Sequence, residues 1–221
     1  MPPSAPTAPR ILSLMTRIAR LATAALCFAG TAQAHSLEED GLYLAFRGYG
    51  AINDQNNLHF SASREFGGAV GYRFSDVWRV EAEYARRWAK ITGLNGALTT
   101  KGDFDSHTLG VHLFRDFQPE KKLRPFVGLG IGGGILDFDF KGPADINPDF
   151  IVIGNDTNIS TYGNVFAGST YHINSQLRVG LGFEYFSFSD QAVESNIGDI
   201  DGINRSYNFF ASMRWRPDFS R

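Results

Sequence analysis

From Gly41 onward, apolar and polar residues alternate with a period of two, the signature of strands with two unlike faces. Eight such segments are legible: 42–49, 65–74, 78–88, 108–117, 124–136, 163–172, 177–186 and 206–216. No ten-residue window carries a helical stripe. The connections alternate in length. Short ones lie at 75–77, 118–123 and 173–176, and long polar ones at 50–64, 89–107, 137–162 and 187–205. Unstructured loops of that length are uncommon in compact soluble domains. Eight strands with tight turns at one end and long loops at the other predict an antiparallel up-and-down meander.

Parity separates the two faces. One is apolar, with Leu42, Phe46, Phe66, Val70, Val80, Tyr84, Leu109, Val111, Leu129, Ile131, Leu181, Phe183, Phe209 and Met213. The other carries Arg47, Arg73, Arg79, Glu81, Glu83, Arg87, His112, Arg178, Glu184, Asn208, Arg214 and Arg216. A soluble carrier of the lipocalin kind would bury the apolar face, whereas a membrane barrel turns it to lipid.

Glycine decides between these arrangements. Gly128, Gly130, Gly132, Gly134, Gly180 and Gly182 all share the charged face. On a solvent-washed face they would only weaken the strands. Inside an eight-stranded barrel, where space barely suffices for side chains, they leave room for the long arginines and glutamates opposite. Gly128 to Gly133 also satisfies the G-x-G-x-x-G dinucleotide pattern, which requires a helix to start within the motif. Here the strand pattern continues through "ILDFDF", so a nucleotide cradle is set aside. Trp78, Tyr84, Trp88, Tyr185, Tyr207 and Trp215 sit where aromatic girdles meet bilayer interfaces, and segment lengths approach the ~9–11 residues that cross at a tilt.

The first 34 residues read as an export signal. Arg17 and Arg20 precede the apolar "LATAALCFAG", and "Ala32-Gln33-Ala34" is a small-x-small site with cleavage between Ala34 and His35. Met15 begins a complete signal by itself, which makes it the expected start. Removing Arg10, Arg17 and Arg20 takes the formal charge from −2 to −5 and leaves no cysteine, since Cys27 is the only one in the chain. A disulfide framework is excluded, and no basic field argues for nucleic acid.

The ordered set of signal, alternating loops, "FGGAVGYRFSDVWRVEAEY", "LRPFVGLGIGGG" and a final aromatic strand resembles the small eight-stranded outer-membrane barrels. These are the OmpA/OmpX-type and opacity-like surface proteins of Gram-negative bacteria, and the resemblance covers Gly41 to Phe219. It implies an all-β transmembrane barrel domain over 35–221, located in the cell outer membrane. It also implies contact with outer-membrane lipid and lipopolysaccharide, delivery by the barrel-assembly machinery, and a monomer. The last strand's aromatic signal is displaced, because Ser220 and Arg221 follow Phe219.

The expected chemistry is a network of paired charges in the lumen, formed by Arg47, Arg73, Arg79, Glu81, Glu83, Arg87, Arg178, Glu184 and Arg214. The long loops are acidic, and the expected role is structural or surface interaction with a host or surface ligand. The alternative is a narrow channel for ions or small hydrophobic solutes. An enzyme acting on lipid A is disfavoured, because the adjacent Ser106 and His107 point to opposite faces. "Asp199-Ile-Asp201-Gly202-Ile-Asn204" misplaces its glycine for a calcium loop, so no metal ligand or cofactor is assigned.

Overall fold

The computed structural model describes residues 41–53, 58–61, 63–95, 97, 99–145, 147–189, 192–196, 198–201 and 205–217. The expected export signal, with Ala34 and His35, and Phe219 lie outside them. The described residues form eleven strands and no helix: β1 Gly41–Asn53, β2 Leu58–Phe60, β3 Ser63–Arg73, β4 Trp78–Leu94, β5 Lys101–Asp116, β6 Leu123–Pro143, β7 Ile151–His172, β8 Leu177–Phe188, β9 Ala192–Ser195, β10 Gly198–Asp201 and β11 Arg205–Trp215.

Eight of these close a ring. β1 pairs with β3 and β11, β11 with β8, β8 with β7, and β7 through β3 pair in sequence order, all antiparallel. Closure leaves the ring no edge, the condition for strands to stand in hydrocarbon with every backbone group satisfied. Outside the ring, β2 pairs β4, and the β9–β10 hairpin joins β7 through Gly154 and Ser195.

The outer surface is apolar over a defined band. Leu42, Phe46, Phe66, Val70, Leu129, Ile131, Val165, Leu181, Phe183 and Phe209 are all exposed, with Ile131 at 70% and Phe183 at 67%. Tyr84, Trp88, Tyr185 and Tyr207 lie along its upper margin; Trp215 and Trp78 lie near its lower one. Trp88, Asp105, Asp137 and Thr157 are register partners across four strands, and on β5, β6 and β7 this row brings polar side chains to the outer face. From Trp78 to Trp88 the strand climbs about 23 Å at ~3.3 Å per residue and ~45° of tilt, close to the ~25 Å apolar band of such barrels.

The strands outrun the sequence pattern. β6 spans 21 residues and β7 spans 22, where ~9–11 suffice to cross. The stretches 89–107 and 137–162, expected as loops, are therefore mostly strand. Their polar appearance belongs to one face only: Asp137 and Asp139 face out, while Phe138, Phe140 and Val152 are buried inside. Alternation persists, but the outward partner is now water instead of lipid. The true turn spans 144–150 and is closed by a hydrogen bond from the Ala144 amide to the Phe150 carbonyl.

Candidate functional site: the barrel interior

The lumen is filled in layers. At the extracellular end Phe60, Ile91, Leu94, Phe104, Leu136, Phe138, Phe140, Val152, Tyr162, Phe186 and Phe188 pack into one buried cluster. A second cluster of Tyr49, Phe114, Phe126, Phe166 and Phe210 lies lower. Paired charges share the lumen with about as much aromatic material. Parity does place Phe114, Phe126, Phe166 and Phe210 on the charged face, so the signal was present in the sequence.

The glycines serve these rings more than the ions. A Cβ on Gly128 would strike Phe114, on Gly132 Tyr162, on Gly182 Phe210, and on Gly154 Phe140. Among the described glycines only Gly67, on β3, lies against a carboxylate, lysine or arginine side chain, with Glu83 at 3.1 Å from its missing Cβ. The reason is shape. A ring needs a flat gap in the wall opposite, whereas a flexible arginine can bend around a methyl group.

Between and below the aromatic layers lie the ions. Arg47 on β1 pairs with both Glu81 and Glu83 on β4, separated from it by 34 and 36 residues. Tyr43 donates to Glu81 at 2.6 Å, and Tyr49 donates to Glu83 at 2.9 Å. Arg79 pairs with Glu81 and, at 3.2 Å, with Asp116; Arg73 also pairs with Asp116 and donates to the Asp76 carbonyl at 2.8 Å. Arg87 donates to Glu65 at 2.7 Å and to Ser206 at 3.2 Å. Two amides, Asn164 and Asn208, each donate to Glu184 at 2.7 Å.

Rings and cations interleave: the Arg79 guanidinium lies 3.8 Å from the Phe114 centroid, and Arg87 lies 4.8 Å from Phe186. Desolvated contacts of this type are worth about 2 kcal/mol. They let the barrel keep charges in a dry centre without a carboxylate on every side.

Arg47, Arg73, Arg79, Glu81, Glu83, Arg87, Glu184 and Arg214 are all buried, while Arg178 is half-buried at the periplasmic end. The structure joins Arg47, Glu81, Glu83, Arg79 and Arg73 into one chain, linked through Asp116. Arg87 pairs separately with Glu65, and Glu184 is held by amides instead of arginines. Asp116 and Glu65 are members of the network that the sequence reading omitted. Asp116 follows the pattern's last clear alternation, and Glu65 opens its segment, so both fell at segment ends. Below the upper apolar cluster, the described lumen side carries eight arginines (the six already named, with Arg124 and Arg216) and five carboxylates.

Ser106 is buried in the lumen, whereas His107 faces outward and meets Tyr84 at 2.7 Å, so the pair is split across the barrel wall. Outside, Arg86 pairs with Asp105, and Lys90 with Asp103, at the level where the apolar band ends.

A closed ring with a greasy belt, aromatic margins and an ionic centre defines an integral outer-membrane β-barrel, with extracellular extensions of its strands. The chain belongs to the outer membrane protein beta-barrel domain family, whose profile matches residues 21–211, and this places it in the outer membrane of Gram-negative bacteria. Among solved structures it is similar to Neisserial surface protein A, with TM-score 0.52 and 16% identity over 81% of this chain and 97% of that one. It is also similar to the outer membrane protein OprG from Pseudomonas aeruginosa, with TM-score 0.55 and 14% identity over 82% and 100%. At such identities the likeness is one of fold. No curated protein sequence matches the chain significantly.

Proposed function

We propose that this barrel is a non-conducting surface-interaction protein whose contacts are made by the extracellular extension of β6 and β7. The observation that carries this reading is the contrast between the two ends of those strands. Within the bilayer their lumen faces are packed against aromatic and ionic layers, which fill an interior that an eight-stranded barrel makes only wide enough for side chains. Above it they continue for about 15 Å at ~3.3 Å per residue and ~45° of tilt. There they present Phe150, Ile151 and Ile153, each 44–50% exposed, beside Asp139, Asp145 and Asp149. Exposed apolar residues rimmed by charge are the mark of a contact surface.

Lipopolysaccharide is the neighbour at the polar margin of Arg86, Lys90, Asp103 and Asp105. Export by the N-terminal segment with cleavage between Ala34 and His35, and insertion by the barrel-assembly machinery as a monomer, complete the reading. Sequencing the mature N-terminus checks the cleavage.

Two measurements test the role. In planar bilayers the folded protein gives no conductance steps; steps that change with Glu81→Gln would establish the narrow channel instead. Replacing residues 144–150 by a two-residue Asn-Gly turn leaves the heat-modifiable gel shift of the barrel intact. It lowers adhesion of expressing cells to host-cell monolayers to that of cells lacking the protein. Unchanged adhesion overturns the proposal.

A further inference from the structure

On the lipid-facing side of the wall, at the periplasmic margin, stands a cation that the lumen network does not involve. Arg115 is the last outward residue of β5, exposed and level with Trp78, its register partner on β4. Its guanidinium carbon lies 5.6 Å from the Trp78 ring centroid and 5.4 Å from that of Phe117, so two rings bracket it. Cation–π contacts of this kind hold the planar group in place without using its N–H donors.

No carboxylate answers this charge. Among the described residues Arg115 makes no ion pair. Asp116 faces the lumen, where Arg73 and Arg79 hold it. Asp76 and Glu120 belong to the two neighbouring turns, and neither pairs with it. At the opposite margin Arg86 and Lys90 are each matched by a carboxylate of β5, Asp105 and Asp103. A guanidinium on the lipid side of a barrel is tolerated best at an interface, where an anion can sit against its donors.

What lies above and below Arg115 narrows the choice of anion. Above it the register pairs Arg115–Val127, Leu113–Leu129 and Val111–Ile131 climb toward mid-band, and Val127, Leu129 and Ile131 are all exposed. In the turn below, Lys121 and Lys122 are exposed beside the one carboxylate of Glu120. A positive turn, a bracketed guanidinium and an apolar ladder follow one another in the order in which a phospholipid presents its parts.

We propose that Arg115, between Trp78 and Phe117, binds the headgroup phosphate of an anionic phospholipid in the periplasmic leaflet, with an acyl chain laid along Val127, Leu129 and Ile131. A guanidinium offers paired N–H donors that match two phosphate oxygens. The lysines below favour an anionic headgroup over a zwitterionic one, because they attract net negative charge and repel a choline cation. The bound lipid fixes the depth at which β4 and β5 sit in the bilayer. This site rests on the membrane-spanning barrel alone and is independent of what the extracellular extension contacts.

The test uses the full mature chain carrying Trp88→Phe and Trp215→Phe, which leaves Trp78 as its one tryptophan. The protein is inserted into vesicles of equal parts phosphatidylglycerol and phosphatidylcholine, with bromines on the acyl chains of one lipid or the other. Quenching of Trp78 reports which lipid adjoins it. Phosphatidylglycerol is expected there about fivefold more often than phosphatidylcholine, the preference that one cation at a membrane surface confers. Arg115→Gln removes the preference. Lys101→Gln, an equal loss of charge on an exposed residue at the far end of β5, keeps it. An unchanged heat-modifiable gel shift reports insertion of each variant. Equal quenching by the two lipids before any change at Arg115 overturns the proposal, as does a preference that survives Arg115→Gln. Loss of the preference in Lys101→Gln also overturns it, since net charge alone would then be the cause.

Discussion

Glu81 is the carboxylate on which the buried network turns, and Glu81→Gln is the sharpest perturbation of it. The residue is 0% exposed, pairs with Arg47 and Arg79, and accepts from Tyr43 at 2.6 Å. Substitution by an amide keeps the volume and removes one negative charge between two buried guanidiniums. Removing one partner of a buried pair costs about 3–5 kcal/mol. Each arginine here retains a second carboxylate, Glu83 for Arg47 and Asp116 for Arg79, so the low end, about 3 kcal/mol, is expected. At ~1.4 kcal/mol per decade that lowers the folded-to-unfolded ratio by about two orders of magnitude. The assay is reversible guanidinium unfolding from phospholipid vesicles, followed by the fluorescence of Trp78, Trp88 and Trp215, with linear extrapolation. Arg86→Gln is the internal control, since its partner Asp105 sits on the outer rim, where solvent screens the pair. If Glu81→Gln shifts the midpoint no further than Arg86→Gln, the lumen is wetter than its packing indicates and the reasoning is wrong.

The glycine wall makes a second prediction. Gly132→Ala drives a methyl group into Tyr162 and the Leu109 carbonyl and should cost about 1–3 kcal/mol in the same assay. Gly68→Ala, with nothing within 4 Å of its new carbon, should be neutral or stabilising; equal effects would refute the packing account. Ile131→Arg places a charge on the lipid face near mid-band and should cost about 2–4 kcal/mol, read as slower insertion and a lower unfolding midpoint. Phe114→Ala removes a 1%-exposed ring that stacks beneath Arg79 and should cost about 3–5 kcal/mol; a loss below 1 kcal/mol would show that the aromatic layers are not packed as described.

Much of this molecule is legible along the chain because a strand has only two faces. Leu129 and Ile131 must lie opposite Gly130 and Gly132 whatever the partner strands are, and the glycines then identify the crowded side. The same logic yields the burial of Arg79, Glu81 and Glu83 from β4 alone. It fails at the ends of segments. Asp137 and Asp139 read as loop because their outward neighbours are polar, yet the inward Phe138 and Phe140 keep the strand going to Pro143. Polarity on one face cannot reveal that the other face is still packed until the opposing wall is known. Asp116 and Glu65 were missed because each falls at the end of a segment, where the alternation has few neighbours to define it.

The sequence by itself determined the alternation, the number of crossing strands and which surface meets lipid, because these depend on neighbours one or two residues apart. Only the closed tertiary structure decided who meets whom across the lumen. Arg87 reaches Ser206 from 119 positions away, Asn164 and Asn208 converge on Glu184, and Arg214 is set opposite Arg178. Such meetings depend on the register of the ring and its diameter, quantities set jointly by all eight strands and encoded in none of them alone.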